Sequence, residues 1–304
     1  MKVAVTGATG LIGSALCRDL SKDGAEVLAV TRKAGEVGGL GKPVFWDPER
    51  GFDSATLAAL EGVDSVVHLA GESIAKRWSA AQKERIRNSR VNGSRALVEG
   101  LKKLNRRPAA LVSASAVGYY GDRGDQELDE SSPPGAGFLP DVCKAWEAET
   151  ARAAEAGMRV VQLRFGIVLS SKGGALREIL LPFKMGLGGP VGSGRQWMSW
   201  VHIDDVVGAI RFALAQASLK GPANVTAPRP ERNAEFSRTL GRVLKRPAFL
   251  PAPGFALKLA FGEMAQALLL EGQKVLPRAL ERAGYVFKNR DLEPALADVI
   301  GSRK

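Results

Sequence analysis

Close to its amino terminus the chain reads Thr6-Gly7-Ala8-Thr9-Gly10-Leu11-Ile12-Gly13. The apolar run Val3-Ala4-Val5 precedes it, and Leu11, Ile12, Ala15, Leu16 and Leu20 follow on one helical face. Glycines at this G-x-x-G-x-x-G spacing, set between a strand and a helix, are compatible with few folds. Gly7 permits a tight turn, Gly10 lets a diphosphate approach the backbone, and Gly13 lets helix and strand pack closely. The free N–H groups and positive end of the helix then face the phosphates. The pattern predicts a βα unit that binds a dinucleotide, with Gly7, Thr9, Gly10, Leu11, Ile12 and Gly13 as contacts.

The rest of the amino-terminal half repeats the same rhythm. Lys2–Thr6, Glu26–Thr31, Val44–Trp46, Asp64–Leu69, Ala109–Ser115 and Arg159–Arg164 read as strands. Leu11–Lys22, a long stretch capped by Ser79 and running to Leu104, and Asp141–Glu155 read as helices. Alternation of this kind predicts an α/β fold: a Rossmann-type, doubly wound parallel sheet with helices on both faces. Beyond residue 170 the pattern loosens. The glycine-dense stretch Lys184–Arg195 reads as a mobile loop over the site, followed by helices at Ile203–Ala217 and Ala234–Leu244. Arg246–Pro253 reads as a boundary, and a short strand is expected near Tyr285–Phe287. The expected organisation is a dinucleotide-binding domain over 1–245, with substrate-lobe segments after 170, and a small, mainly helical domain over 246–304.

Composition narrows the function classes. The net charge of +11 raises nucleic acid as a partner, but the basic residues are scattered among acids, with no basic run and no zinc spacing. The charge reads first as a solvated basic surface, which could also attract a phosphorylated substrate. The most apolar late segment, Phe249 to Leu270, is broken by Pro251, Pro253, Lys258 and Glu263, so no membrane span is expected. Val3–Val5 runs straight into the glycine turn, so no secretory signal is expected there. The two cysteines, Cys17 and Cys143, fall in predicted helices, which fits a reducing cytoplasm.

The strand ends point to the cofactor. Dinucleotide pockets selective for NAD usually place an acid at the end of the second strand, for the ribose 2′-hydroxyl. This chain has Thr31-Arg32-Lys33 there, and Arg32 favours a 2′-phosphate, hence NADP(H). The fourth strand ends in His68-Leu69-Ala70-Gly71-Glu72, whose small residues let a cofactor cross the sheet. His68 sits among apolar residues and reads as structural. Asp47, before Pro48, reads either as a turn residue or as an adenine contact.

Four motifs carry a family resemblance: Thr6 to Gly13, Asp64 to Gly71, Leu111-Val112-Ser113-Ala114-Ser115 with Tyr119-Tyr120-Gly121, and Trp200-Val201-His202-Ile203-Asp204-Asp205. With them the chain resembles the extended short-chain dehydrogenases/reductases, which include sugar-nucleotide epimerases and dehydratases. A narrower match runs through Ser89-Arg90, Phe138-Leu139, Val142 to Glu147, Leu163 to Leu169, Trp197 to Trp200 and Gly272 to Pro277. It looks like the "epimerase family" proteins that end in a small domain of unknown function. The resemblance implies cofactor contacts at Leu69, Ala70, Gly71, Glu72, Ser113, Phe165, Gly166 and Ile167, beside Thr31 and Arg32. It also implies catalysis by a Ser, Tyr and Lys set, with the lysine lowering the tyrosine pKa and holding the nicotinamide ribose. Ser115 and Lys144 take the first and last places, but Pro140 stands where the tyrosine of Y-x-x-x-K is expected. Tyr119, Tyr120, Cys143 and His202 are the replacements to weigh, and Arg87, Arg90, Arg195, Trp197 and Trp200 could meet a substrate.

Two functions follow as expectations. One is an NADP(H)-dependent oxidoreductase or epimerase acting on a nucleotide-sugar or a related carbonyl or hydroxyl compound. The other, motivated by Pro140, is a non-catalytic NADPH-binding sensor or partner-binding protein.

Overall fold

The structure is a computed structural model and describes residues 1–32, 35 and 37–301. Seven parallel strands form its central sheet: β1 Lys2–Thr6, β2 Glu26–Thr31, β3 Lys42–Phe45, β4 Ser65–His68, β5 Ala110–Ala116, β6 Arg159–Phe165 and β7 Gly221–Val225. Their order across the sheet is β7-β6-β5-β4-β1-β2-β3. The order reverses between β1 and β4, and that switch point opens a crevice at the strands' carboxyl ends. β7 was not expected from the sequence. Its Gly221-Pro222-Ala223-Asn224-Val225 lacks the β-branched run that marks the other strands.

Both faces of the sheet are covered. On one side α1 (Leu11–Lys22) buries Leu16, Cys17 and Leu20. There they meet Val3, Val5, Val112 and Val161 of the sheet and Ile210 of a later helix. On the other side α2 (Ser54–Leu60) and α3 (Ala80–Lys102) bury Leu60, Leu97, Val98 and Leu101 against Ala4, Val66 and Leu111. The Ser79 hydroxyl accepts from Gln82 N at 3.1 Å and caps α3, as its sequence predicts. α4 (Phe138–Ala151) follows on the α3 side, starting three residues before its expected boundary.

Past β6 the chain builds a lobe at the carboxyl edge of the sheet. α5 (Gly174–Lys184), α6 (Ile203–Ala215), α7 (Asn233–Leu244) and α8 (Gly254–Phe261) follow in order, and a last helix spans Leu292–Ile300. Leu176, Leu180 and Phe183 of α5 pack with Phe236 and Leu240 of α7 and with Leu292 and Leu296. The Lys184–Arg195 segment is hydrogen-bonded to its neighbours: Leu250 N donates to Gly188 O, and Ala252 N to Pro190 O at 2.9 Å.

The carboxyl-terminal segment is threaded into the rest. Lys274–Val275 pairs with Glu127–Leu128, and Leu280 and Phe287 join the core between the sheet and α6. The buried Asp205 carboxylate accepts from Lys288 N at 2.7 Å and Asn289 N at 2.9 Å. Tyr285–Phe287 is not a strand. Its aromatic alternation serves packing instead, with the two rings edge to face at 4.9 Å and the Tyr285 hydroxyl donating to Asp205 O. Among the described residues no helix is long and apolar enough to cross a membrane.

Candidate functional site

The glycine turn links β1 to α1 as its residue types require. Gly7 has φ +68°, and a Cβ there would lie 2.8 Å from Leu69 C. A Cβ at Gly13 would lie 2.2 Å from Gly7 O, so only glycine lets the helix seat this close to the strand. Gly10 closes the turn, donating its N–H to Gly7 O at 2.9 Å. It is also the N-cap of α1, with no side chain capping the helix and no acid in its first turn. The positive end of the helix is therefore left to an outside anion. Thr9, Gly10 and Leu11 also border a cleft of about 1050 Å³ that runs along α1 past Arg18 and Lys22 and is lined by Ser170, His202 and Arg211 as well.

β2 ends at Thr31, and Arg32 follows, exposed. Lys33 lies outside the described residues. Asp47 shapes a turn, accepting from Glu49 N at 3.0 Å. The β4 end is locked by His68, whose Nδ1 lies 2.7 Å from Thr6 Oγ1 and whose Nε2 lies 3.0 Å from Ser94 Oγ. Thr6 Oγ1 accepts from Leu69 N and Ala70 N, so its own proton is assigned to Nδ1, and Nε2–H donates to Ser94. Full burial pushes the His68 pKa down to about 4, so the ring is neutral. It fixes the backbone that carries Leu69 and Ala70 beside Gly7.

Gly71 and Glu72 meet Arg90 of α3. The guanidinium Nη1 donates to Glu72 O at 3.0 Å and to Ile86 O at 3.2 Å. Its Cζ lies 5.3 Å from the Trp146 ring centroid. Burial pulls the Arg90 pKa below the usual guanidinium value, opposed by Cys143 and Glu72.

The β5 end departs from the expected catalytic set. Ser115 is 2 % exposed and donates to Glu147 Oε1 at 2.5 Å. Glu147 in turn takes a bidentate pair from Arg164, with Nε to Oε1 and Nη2 to Oε2 both at 2.8 Å. Arg164 Nη1 donates to the Tyr120 hydroxyl, which donates to Asn224 Oδ1 at 2.8 Å. The Arg164 guanidinium also lies 3.5 Å from the Tyr119 ring centroid. Burial, partly offset by Arg164, pushes the Tyr120 phenol up to about 12. Both tyrosines thus serve the buried network.

Lys144 is not part of this cluster. Cys143 and Glu147, one turn apart on α4, are buried, while Lys144, one turn beyond the buried Pro140, is half exposed. Its Nζ lies 3.3 Å from Asp141 Oδ1, with the side chain 49 % exposed. Ser115 and Lys144 share no hydrogen bond, and Pro140, in the place of the expected tyrosine, is buried. Burial pushes the Cys143 thiol up to about 12, with Glu147 adding to it and Arg90 and the Ala116 backbone opposing it.

The remaining predicted residues are accounted for as follows. Ser113 is buried and donates to Ala114 O, and Phe165 belongs to the core under the sheet. Gly166 N donates to Val225 O, and Ile167 starts a short pairing with Trp200. His202 caps α6, accepting from Asp204 N at 3.1 Å on Nδ1. Its Nε2 lies 3.1 Å from Asp298 Oδ2. With Nδ1 occupied as an acceptor, the ring proton belongs on Nε2, which does not suit a metal ligand. Trp200 is buried, and Trp197 donates to Asp125 at 2.8 Å beneath Arg232. The structure brings the glycine turn against Leu69 and Ala70 of the β4 end and Ser115 against Glu147. Sequence reasoning missed Glu147 as a partner of Ser115. The available signal was Arg164, a charge near the end of a buried strand that needs a partner.

A family model described as "NAD dependent epimerase/dehydratase family" matches residues 3–226. The chain belongs to that family. A second model, "Domain of unknown function (DUF1731)", matches residues 252–299. The chain is 44 % identical over 296 residues to the epimerase family protein Mb2239 of Mycobacterium bovis, covering 97 % of this chain and 96 % of that one. It is 41 % identical over 309 residues to the chloroplastic SDR39U1 homolog of Arabidopsis thaliana, covering 99 % of this chain and 87 % of that one. Among solved structures, the human epimerase family protein SDR39U1, crystallised with NADPH, superposes with a TM-score of 0.90 at 36 % identity. That match covers both chains fully.

Proposed function

We propose that this chain is an NADP(H)-binding protein of the extended short-chain dehydrogenase/reductase type that does not run the tyrosine–lysine proton transfer. The observation that carries the reading is the contrast between two strand ends. At β1 the glycine turn leaves the N-terminus of α1 uncapped for a diphosphate, whereas at β5 Ser115 is bound to Glu147 and the buried Pro140 stands in the tyrosine's place. Arg32 provides the charge for a 2′-phosphate. The human relative crystallised with NADPH supports the same choice of cofactor. NADPH supplies a hydride from its nicotinamide ring when bound. The chain's own part is to bind the diphosphate on α1 and to hold Leu69 and Ala70 in place through His68 and Thr6.

A second reading is an NADP(H)-dependent oxidoreductase or epimerase acting on a nucleotide-sugar or related carbonyl or hydroxyl substrate. One observation favours it. Ser115 keeps lone pairs while it donates to Glu147, so the pair is a proton-accepting unit at the sheet's carboxyl edge. Fluorescence titration with NADPH and NADH tests the shared step. Wild type is expected to prefer NADPH, and Arg32→Asp to lose about tenfold or more for NADPH alone. Equal losses for both dinucleotides overturn the assignment of Arg32. Product analysis with UDP-sugars and small carbonyl compounds then separates the readings: turnover abolished by Ser115→Ala establishes the enzyme, and tight binding without turnover the sensor.

A further inference from the structure

Arg90 reaches the carboxyl end of β4 from α3. Its guanidinium lies against the backbone of Gly71, and a Cβ at Gly71 would meet Arg90 Cζ at 3.2 Å and Nη2 at 3.3 Å. Gly71 is thus the residue that admits the cation to the carboxyl end of β4. Trp146 braces it from α4, and Cys143, on the sheet-facing stripe of that helix, is its electrostatic neighbour. Arg90 Nη1 is spent on the carbonyls of Glu72 and Ile86, which fixes the plane of the guanidinium. The hydrogen bonds at Arg90 engage Nη1, leaving the fork's other N–H groups as donors.

The path of a dinucleotide brings it past this point. Its diphosphate is placed on α1 at Gly10, and the switch point of the sheet lies between β1 and β4. The half of the molecule beyond the diphosphate then crosses the end of β4, over Leu69, Ala70 and Gly71. Lys144, half exposed on α4, lies 3.3 Å from Asp141. Arg90 comes from α3 instead, anchored and half-buried at that strand end.

Resting on the NADP(H) reading above, we propose that Arg90 holds the nicotinamide half of the cofactor, donating to its ribose hydroxyls or to the nicotinamide-side phosphate. Arg90 thereby takes over the ribose-holding task from the lysine, though not the tuning of a tyrosine. A guanidinium presents its donors in a fixed plane, so this grip is oriented where a lysine's would swivel.

The test uses the full chain and two probes: NADPH, and 2′,5′-ADP, which carries the adenosine 2′-phosphate but has no nicotinamide ribose. Affinities are measured calorimetrically for wild type, Arg90→Met, Arg90→Lys and Gly71→Ala, with thermal unfolding as the control for folding. Arg90→Met is expected to weaken NADPH binding about tenfold or more, the worth of one charge-assisted hydrogen bond, while 2′,5′-ADP binding is unchanged. Arg90→Lys is expected to recover part of the loss. Gly71→Ala, whose methyl displaces the guanidinium, is expected to reproduce the selective loss even if Arg90→Met fails to fold. Unchanged NADPH affinity in folded Arg90→Met, or equal losses for both probes, overturns the proposal while leaving the NADP(H) reading intact. Wild type that binds neither probe overturns that reading itself and this inference with it.

Discussion

Ser115 on β5 and Glu147 on α4 are joined by a 2.5 Å hydrogen bond that locks the sheet to the helix. The same carboxylate neutralises Arg164 inside the fold, with side-chain exposures of 3 % for Arg164 and 11 % for Glu147. Removing one partner would strand the other charge in a poorly hydrated site. Glu147→Ala is therefore expected to cost about 3–5 kcal/mol in urea unfolding, as is Arg164→Met. The double variant should cost clearly less than the two added together, since neither charge is then left alone. Strictly additive losses would show that the pair does not act as a unit.

His68 gives the chain a defined acid sensitivity. Its pKa is held near 4 in the folded protein against about 6.5 in the unfolded chain. The unfolded state therefore binds the extra proton first as pH falls. Stability from this group is fully present above pH 6.5, declines through the window from about 6.5 to 4, and is gone below it. At roughly 1.4 kcal/mol per unit, the decline amounts to about 3 kcal/mol. Unfolding free energies for wild type and His68→Gln between pH 7 and 4 check this. The variant should start lower and show a shallower slope, and parallel slopes would contradict the assignment.

The sheet and the cofactor turn were legible because their constraints act on single residue types. Gly7 must adopt positive φ and Gly13 must touch Gly7 O, so the glycines themselves report the geometry. β1, β2, β4, β5 and β6 are largely buried and each holds a short run of β-branched or aliphatic residues, which suffices to find them. β7 was hidden because its position beside β6 comes from tertiary pairing, with Asn224 tied to Tyr120 and Leu276. The site beyond the glycine turn was less legible for a similar reason. A Y-x-x-x-K spacing locates Lys144 along α4, but its facing depends on the helix register against the sheet. That register is set by Trp146, Glu147 and Thr150, whose partners lie on α3 and β6.

The half-exposed position of Lys144 makes a direct prediction. The side chain makes one exposed contact, with Asp141 three residues earlier on the same helix. Pairs of this kind contribute little, so Lys144→Met should change stability by less than about 0.5 kcal/mol. NADPH affinity should be unchanged as well. A large, selective loss of NADPH affinity in a normally stable Lys144→Met would return the lysine to the ribose and displace Arg90 from that role.

Cys143 bears on whether the region above Ser115 is open. Burial is the main force that pushes its thiol up to about 12, with Glu147 adding to it and Arg90 opposing it. Cys17, in the core between α1 and the sheet, is pushed up to about 11, again by burial. The thiolate is the reacting species, so at pH 8 only about one Cys143 in ten thousand is poised to react. Neither cysteine should be alkylated by iodoacetamide over minutes in the native protein, and both should be in guanidinium chloride, as read by intact mass. Rapid native labelling confined to Cys143 would mean that the thiol faces an open cleft. It would then return to consideration as a proton donor, and the closed network around Ser115 would have to be redrawn.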